Sequence, residues 1–138
     1  MWWFYALLSA FFAAFTAVLA KLGTKGIDSN LATAIRTVVV LLLAWGVVYW
    51  QGGLTQLGQL TRTNLVFLGL SGVATGLSWL CYFRALQLGK VSQVAPVDKL
   101  SVALAIVLSV VFLGEKLSWQ AGAGAALIIT GTIVLIWA

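Results

Sequence analysis

The chain has 138 residues, of which 62% are hydrophobic and 8% charged, against about 25% charged in an ordinary soluble domain. A soluble fold of this size leaves much of its surface in water and could not hide so much apolar side chain, so the chain reads as a polytopic membrane protein. It has no His, one Cys and three acids, which excludes a His/Cys zinc site and a Cys–His nucleophile pair and leaves little for carboxylate catalysis.

The net charge of +5 comes from eight cations that are scattered rather than clustered. Beside apolar spans they read as topology determinants and lipid-headgroup contacts, not as a nucleic-acid surface. No cofactor is implied, and no enzyme activity.

A helix crosses roughly 30 Å of hydrocarbon with about 20 apolar residues, and the bilayer offers no partner to a free backbone group, so the spans must be helices. Five segments qualify. The first, Trp2 to Ala20, is uncharged. No Lys or Arg precedes it and it is long for the apolar part of a signal peptide, so it reads as a retained span. A loop from Lys21 to Asn30 follows, with an N-cap cluster at Asp28, Ser29 and Asn30. The second span, Leu31 to Trp50, carries one charge, Arg36.

The connection from Gln51 to Asn64 is the longest, and Leu57 and Leu60 amid Gln and Thr predict that part of it lies on the membrane surface. The third span, Leu65 to Phe83, is uncharged and is closed by Arg84. The loop Gly89 to Gln93 leads to the fourth span, Val94 to Leu113, with Pro96 near its first turn, where a missing N–H costs least. A tight turn from Gly114 to Ser118 holds Glu115 and Lys116. The fifth span is Trp119 to Trp137, uncharged. No segment outside the spans is long enough for a domain of its own, so residues 1–138 read as one all-α membrane domain.

Trp2, Trp3, Tyr5, Tyr49, Trp50, Tyr82, Trp119 and Trp137 sit at span ends, as an interfacial belt requires. Trp45 and Trp79 lie further in and are candidates for a cavity wall. With five spans, Lys21, Lys25, Arg84, Lys90, Arg36 and Lys99 border one side, and Arg62 and Lys116 the other. This bias favours the N-terminus out and the C-terminus in, and its moderate size leaves a dual orientation open.

Arg36 sits about 7.5 Å into the second span, and Asp98 and Lys99 about 6–8 Å into the fourth. A charge in hydrocarbon pairs or faces a cavity, and Asp98 is the carboxylate closest to a span interior. Arg36 is therefore expected beside Asp98. Together with Lys99 and Arg84, the pair reads either as a polar vestibule or gate, or as an assembly pair with snorkelling stems. Thr75, Ser78 and Trp79, one turn apart on the third span, are the expected midplane wall, although such hydroxyls commonly bond their own helix. No charge lies at mid-membrane, which argues against a proton-driven exchanger. Gly72 and Gly76 on the third span, and Gly122, Ala126 and Thr130 on the fifth, form faces that let helices approach closely.

The stretch Arg84-Ala85-Leu86-Gln87-Leu88-Gly89, then Val94-Ala95-Pro96-Val97, the apolar run Leu104 to Leu113, the turn Gly114-Glu115-Lys116-Leu117-Ser118 and the run Gly122 to Gly131 resemble the EamA-like family of the drug/metabolite transporter superfamily. The resemblance covers the chain as a single repeat of five helices, where most members carry two. It implies a transporter of small metabolites or drug-like organic solutes working by alternating access. It further implies that two repeats in opposite orientations enclose the pathway. The last helices of the two repeats meet in that family, so Gly122, Ala126 and Thr130 become the candidate seam of a homodimer, antiparallel by preference. The host membrane implied is a prokaryotic plasma (inner) membrane. Two alternatives stand beside this reading: a non-transporting membrane subunit, and a lipid-carrier flippase subunit.

Overall fold

A computed structural model describes residues 1–137. The described residues form helices and their connections: α1 (Trp2–Gly23), α2 (Ser29–Trp50), a 3-10 turn (Gly53–Gln59), α3 (Arg62–Leu88), α4 (Val91–Asp98), α5 (Leu100–Leu113) and α6 (Trp119–Ile136). With Val91–Leu113 taken together, five stretches are long and apolar enough to cross a membrane. The protein is therefore an all-helical integral membrane protein.

Several helix ends fall elsewhere than expected, and the reasons are local. α2 begins at Ser29, where the Asp28 carboxylate accepts from the amides of Asn30 and Leu31, satisfying two donors that a helix start leaves open. α3 does not stop at Arg84 but runs on to Leu88, and at its other end it starts at Arg62, inside the expected loop. Arg84 and Tyr82 are thus interior positions of a long helix, and Tyr82 is half-buried. Gly52, in the left-handed region at φ 70°, turns the chain from α2 into the 3-10 segment, a conformation that suits a residue without Cβ.

The fourth span is not one even helix. It starts at Val91, so Pro96 is an interior residue rather than a first-turn one. Its missing N–H leaves the Ser92 carbonyl without a helical donor. Beyond it the winding tightens: the Lys99 amide donates to the Pro96 carbonyl, and the Val102 amide to the Lys99 carbonyl, both at 3.0 Å. These three-residue steps separate α4 from α5. α5 ends at Gly114, at φ 66°, where Glu115 donates its amide back to Ser109.

The contacts group the chain into two units. One holds Met1–Val18 and the residues from Leu88 onward. Within it α4, α5 and α6 pack on one another, helped by the small residues Ala121 to Ala125 at the start of α6, all half-buried. The hydroxyl of buried Thr132 on α6 shares its proton between the Pro96 carbonyl at 3.2 Å and the Ile128 carbonyl at 2.8 Å.

The other unit is Leu19–Gln87. Its buried residues Ala20, Thr24, Ser29, Ala32, Thr33, Phe83 and Leu86 all lie at the end of α1, the start of α2 and the last turns of α3. Five of the seven are Ala, Ser or Thr, which let backbones approach closely.

Candidate functional site

In the Leu19–Gln87 unit, the last turns of α3 supply a polar and aromatic face. Trp79 and Phe83 are one turn apart, and residues four apart share a helix face. The guanidinium carbon of Arg36, on α2, stands 4.3 Å from the centre of the Trp79 ring and 5.1 Å from that of Phe83. Both distances are within cation–π range. Phe83 is buried, whereas Arg36 and Trp79 are half-buried. Among the described residues no hydrogen bond or ion pair reaches Arg36.

The same end of the unit is latched by two side chains. Gln87 donates its amide to the carbonyls of Thr24 at 3.0 Å and Ile27 at 2.7 Å, and accepts at Oε1 from Arg84 at 3.3 Å. The ammonium of Lys21 donates to the carbonyls of Leu86 and Gln87. Those are among the last carbonyls of α3, which have no donor within their own helix and favour a cation. Lys21, Thr24, Lys25, Gly26 and Gln87 line an open cleft of about 260 Å³.

The remaining sequence candidates are placed as follows. Thr75 is exposed and its hydroxyl donates to the Ser71 carbonyl at 2.9 Å, a bond within its own helix. Ser78 is exposed. Arg84 is exposed and bonded to Gln87. Trp45 is 47% exposed, and Trp79 meets the guanidinium of Arg36. Asp98 and Lys99 lie in the other unit, at the α4–α5 step, and face each other at 3.5 Å with both side chains partly in the open. Ala126 and Thr130 are exposed on α6, and Thr130 donates to the Ala126 carbonyl. Gly122 is half-buried, and a Cβ there would stand 3.8 Å from Leu117 Cδ2, an ordinary contact.

Sequence reasoning missed Phe83, Gln87, Lys21 and Thr132. Lys21 reads as a topology cation because nothing local says that another helix ends beside it. Gln87 carries a weak signal: it lies three residues after Arg84, on the same helix face. Thr132 carries none, since an isolated hydroxyl in a span most often bonds its own backbone. No group of three or more His, Cys, Asp or Glu that could hold a metal ion occurs among the described residues.

Comparison with known proteins adds the following. The EamA-like transporter family matches residues 1–137. A protein of Sinorhizobium sp, described as an uncharacterized transporter in the cobO 3' region, is 48% identical over 134 residues, covering 97% of this chain and 95% of that protein. No solved structure matches.

Proposed function

The chain belongs to the EamA-like transporter family, and from that premise we propose that it moves small organic solutes across the membrane by alternating access, as a dimer of five-helix repeats in opposite orientation. One observation carries the dimer. Within the chain no more than 11% of any span's apolar stretch is buried. Each span thus leaves most of its apolar surface to be covered by something outside its own contacts. Part of that surface meets lipid, and part must meet protein if a solute is to be shielded from hydrocarbon. Inverted-repeat transporters meet this need by placing the substrate between two repeats near the midplane.

Arg36 and Trp79 are the proposed solute contacts, with Arg84 at the entrance. Asp98 and Lys99, at a step in a broken span, are proposed gating residues, since irregular helix at membrane depth is found where it lines a cavity or is covered by protein. Ala126 and Thr130, exposed on α6, belong to the proposed seam, with Gly122 one turn earlier. The plasma membrane of a prokaryote is the proposed location.

Reconstitution tests this. Purified protein in liposomes should exchange an internal radiolabelled amino acid, nucleoside or sugar for external solute. Activity per chain should collapse when vesicles hold fewer than one pair of chains on average. Exchange that persists at one chain per vesicle rejects the dimer, and a lack of any exchange across the panel rejects the transporter reading.

A further inference from the structure

Arg36 carries a fixed charge into an apolar span, held on two rings, and no hydrogen bond or ion pair reaches it among the described residues. α2 begins at Ser29, which puts the Arg36 Cα about 10 Å along the helix at 1.5 Å per residue. α3 ends at Leu88, which puts Phe83 and Trp79 about 7 and 13 Å back from that end. Gln87 ties the α3 end to the loop just before α2 through the carbonyls of Thr24 and Ile27, so both measures start from about one level. They agree that the guanidinium lies well inside the helix ends.

The rings account for the position of the group but not for its hydrogen bonding. A guanidinium has five N–H donors in its plane, accepts nothing and keeps its proton. Neither ring offers an oxygen, and no hydrogen bond or ion pair reaches those donors among the described residues. Of the three acids, Asp28 caps α2, Asp98 faces Lys99, and Glu115 is exposed in the turn after α5. The group that matches an open guanidinium edge is an oxyanion, which it can grip with two parallel bonds. Beside it stands the half-buried indole of Trp79, an apolar plate whose own N–H has no acceptor among the described residues.

We infer that Arg36 binds the carboxylate or phosphate group of a soluble organic anion whose apolar body lies against Trp79. The inference rests on the solute-transport reading and gives that site a substrate class. A donor-only site with an aromatic wall repels amines and offers neutral solutes no charge-assisted bond. A lipid phosphate stays at the headgroup level, outside the depth at which the guanidinium is held.

A matched series decides it. Purified protein in neutral detergent is titrated with 3-phenylpropionate, phenyl phosphate, acetate, inorganic phosphate, 3-phenylpropanol, 3-phenylpropylamine and phosphatidylglycerol, with the melting temperature as the readout. A ligand that binds the folded state raises that temperature in a saturable way. The expected result is saturation by the aromatic anions at lower concentration than by acetate or phosphate, and none by the alcohol or the amine. Arg36→Gln should weaken the apparent affinity for the anions more than tenfold, with an unchanged elution volume showing that it is folded. If Arg36→Gln fails to fold, Arg36→Lys keeps the charge without the fork and should weaken it at least fivefold.

Saturation by the amine or the alcohol at the same concentrations overturns the inference. So do stabilisation by phosphatidylglycerol alone, anion affinity unmoved in the folded Arg36 variants, and absence of binding by every anion in the series. Counterflow of labelled 3-phenylpropionate in liposomes keeps the two readings apart. Arg36-dependent binding without counterflow of any solute sinks transport and leaves the anion site standing. Counterflow of amines or neutral solutes alone does the reverse.

Discussion

The single hydroxyl proton of Thr132 on α6 is shared between the carbonyl of Pro96 on α4, at 3.2 Å, and that of Ile128 in its own helix, at 2.8 Å. The carbonyl it reaches belongs to the one proline of the chain, at the start of the tightened stretch that separates α4 from α5. A side chain of α6 thus helps to hold the irregular part of the fourth span. Thr132→Val removes both bonds at a buried position and should lower unfolding stability by about 0.5–1.5 kcal/mol. Thr132→Ser keeps the donor and should cost less. Pro96→Ala returns an N–H to the Ser92 carbonyl and should raise stability. Unfolding in mixed micelles on titration with a denaturing detergent measures all three, and a Val variant as stable as the parent would show the bond to be idle.

Gln87 closes the α1–α2 loop from the far end of α3. Gln87→Leu leaves the carbonyls of Thr24 and Ile27 without their donor, at about 1–3 kcal/mol if they stay dry and less if water reaches them. Trypsin reports the difference directly, because Lys25 lies in that loop and is exposed. Cleavage after Lys25 in the folded protein should accelerate several-fold in the variant. Gln87→Glu should not rescue it, since a carboxylate cannot donate to a carbonyl.

Asp28 sets the start of α2. Asp28→Ala removes the acceptor for the Asn30 and Leu31 amides and should cost about 1 kcal/mol, whereas Asp28→Asn should be nearly neutral. Circular dichroism during thermal unfolding measures it. Equal losses for the two variants would mean that the charge, and not the cap, is what matters.

The cap and the five apolar spans were legible in the sequence because both are local: a short polar run before an apolar stretch, and a length set by the bilayer. The ends of α3 were not, since Arg62 and Arg84 look like boundaries until their long stems are allowed to sit within a helix. The break beyond Pro96 was hidden for a related reason: a proline in the first turn and one in the second read alike until the helix start is known. The ring contacts of Arg36 lay out of reach because they pair residues about forty positions apart on two helices, and no spacing rule within one helix reports such a pair. Charge logic pointed to Asp98, whose close cation is its own neighbour Lys99 at 3.5 Å.

The proposed dimer makes its own prediction at α6. Ala126→Leu places a bulky side chain on an exposed small-residue position and should abolish cross-linked dimer while leaving the monomer helical. Gly122→Leu is the poorer probe, because its side chain also meets Leu117 within the chain. Orientation is read separately, in a Cys81→Ala background since Cys81 is exposed. Single Cys residues placed in the α1–α2 loop and in the Gly114–Ser118 turn should each be labelled from outside intact cells in about half of the population. Labelling at only one of the two positions rejects the antiparallel arrangement.

The latch by Gln87 also has a bearing on how the protein is made. The two carbonyls it holds are 63 and 60 residues earlier in the chain, so they leave the ribosome long before their donor exists. At a synthesis rate of about 5–20 residues per second, the wait is about 3–13 s. Throughout that interval the carbonyls of Thr24 and Ile27 lack this donor, so the loop between α1 and α2 gains its fastening only once the end of α3 has been made.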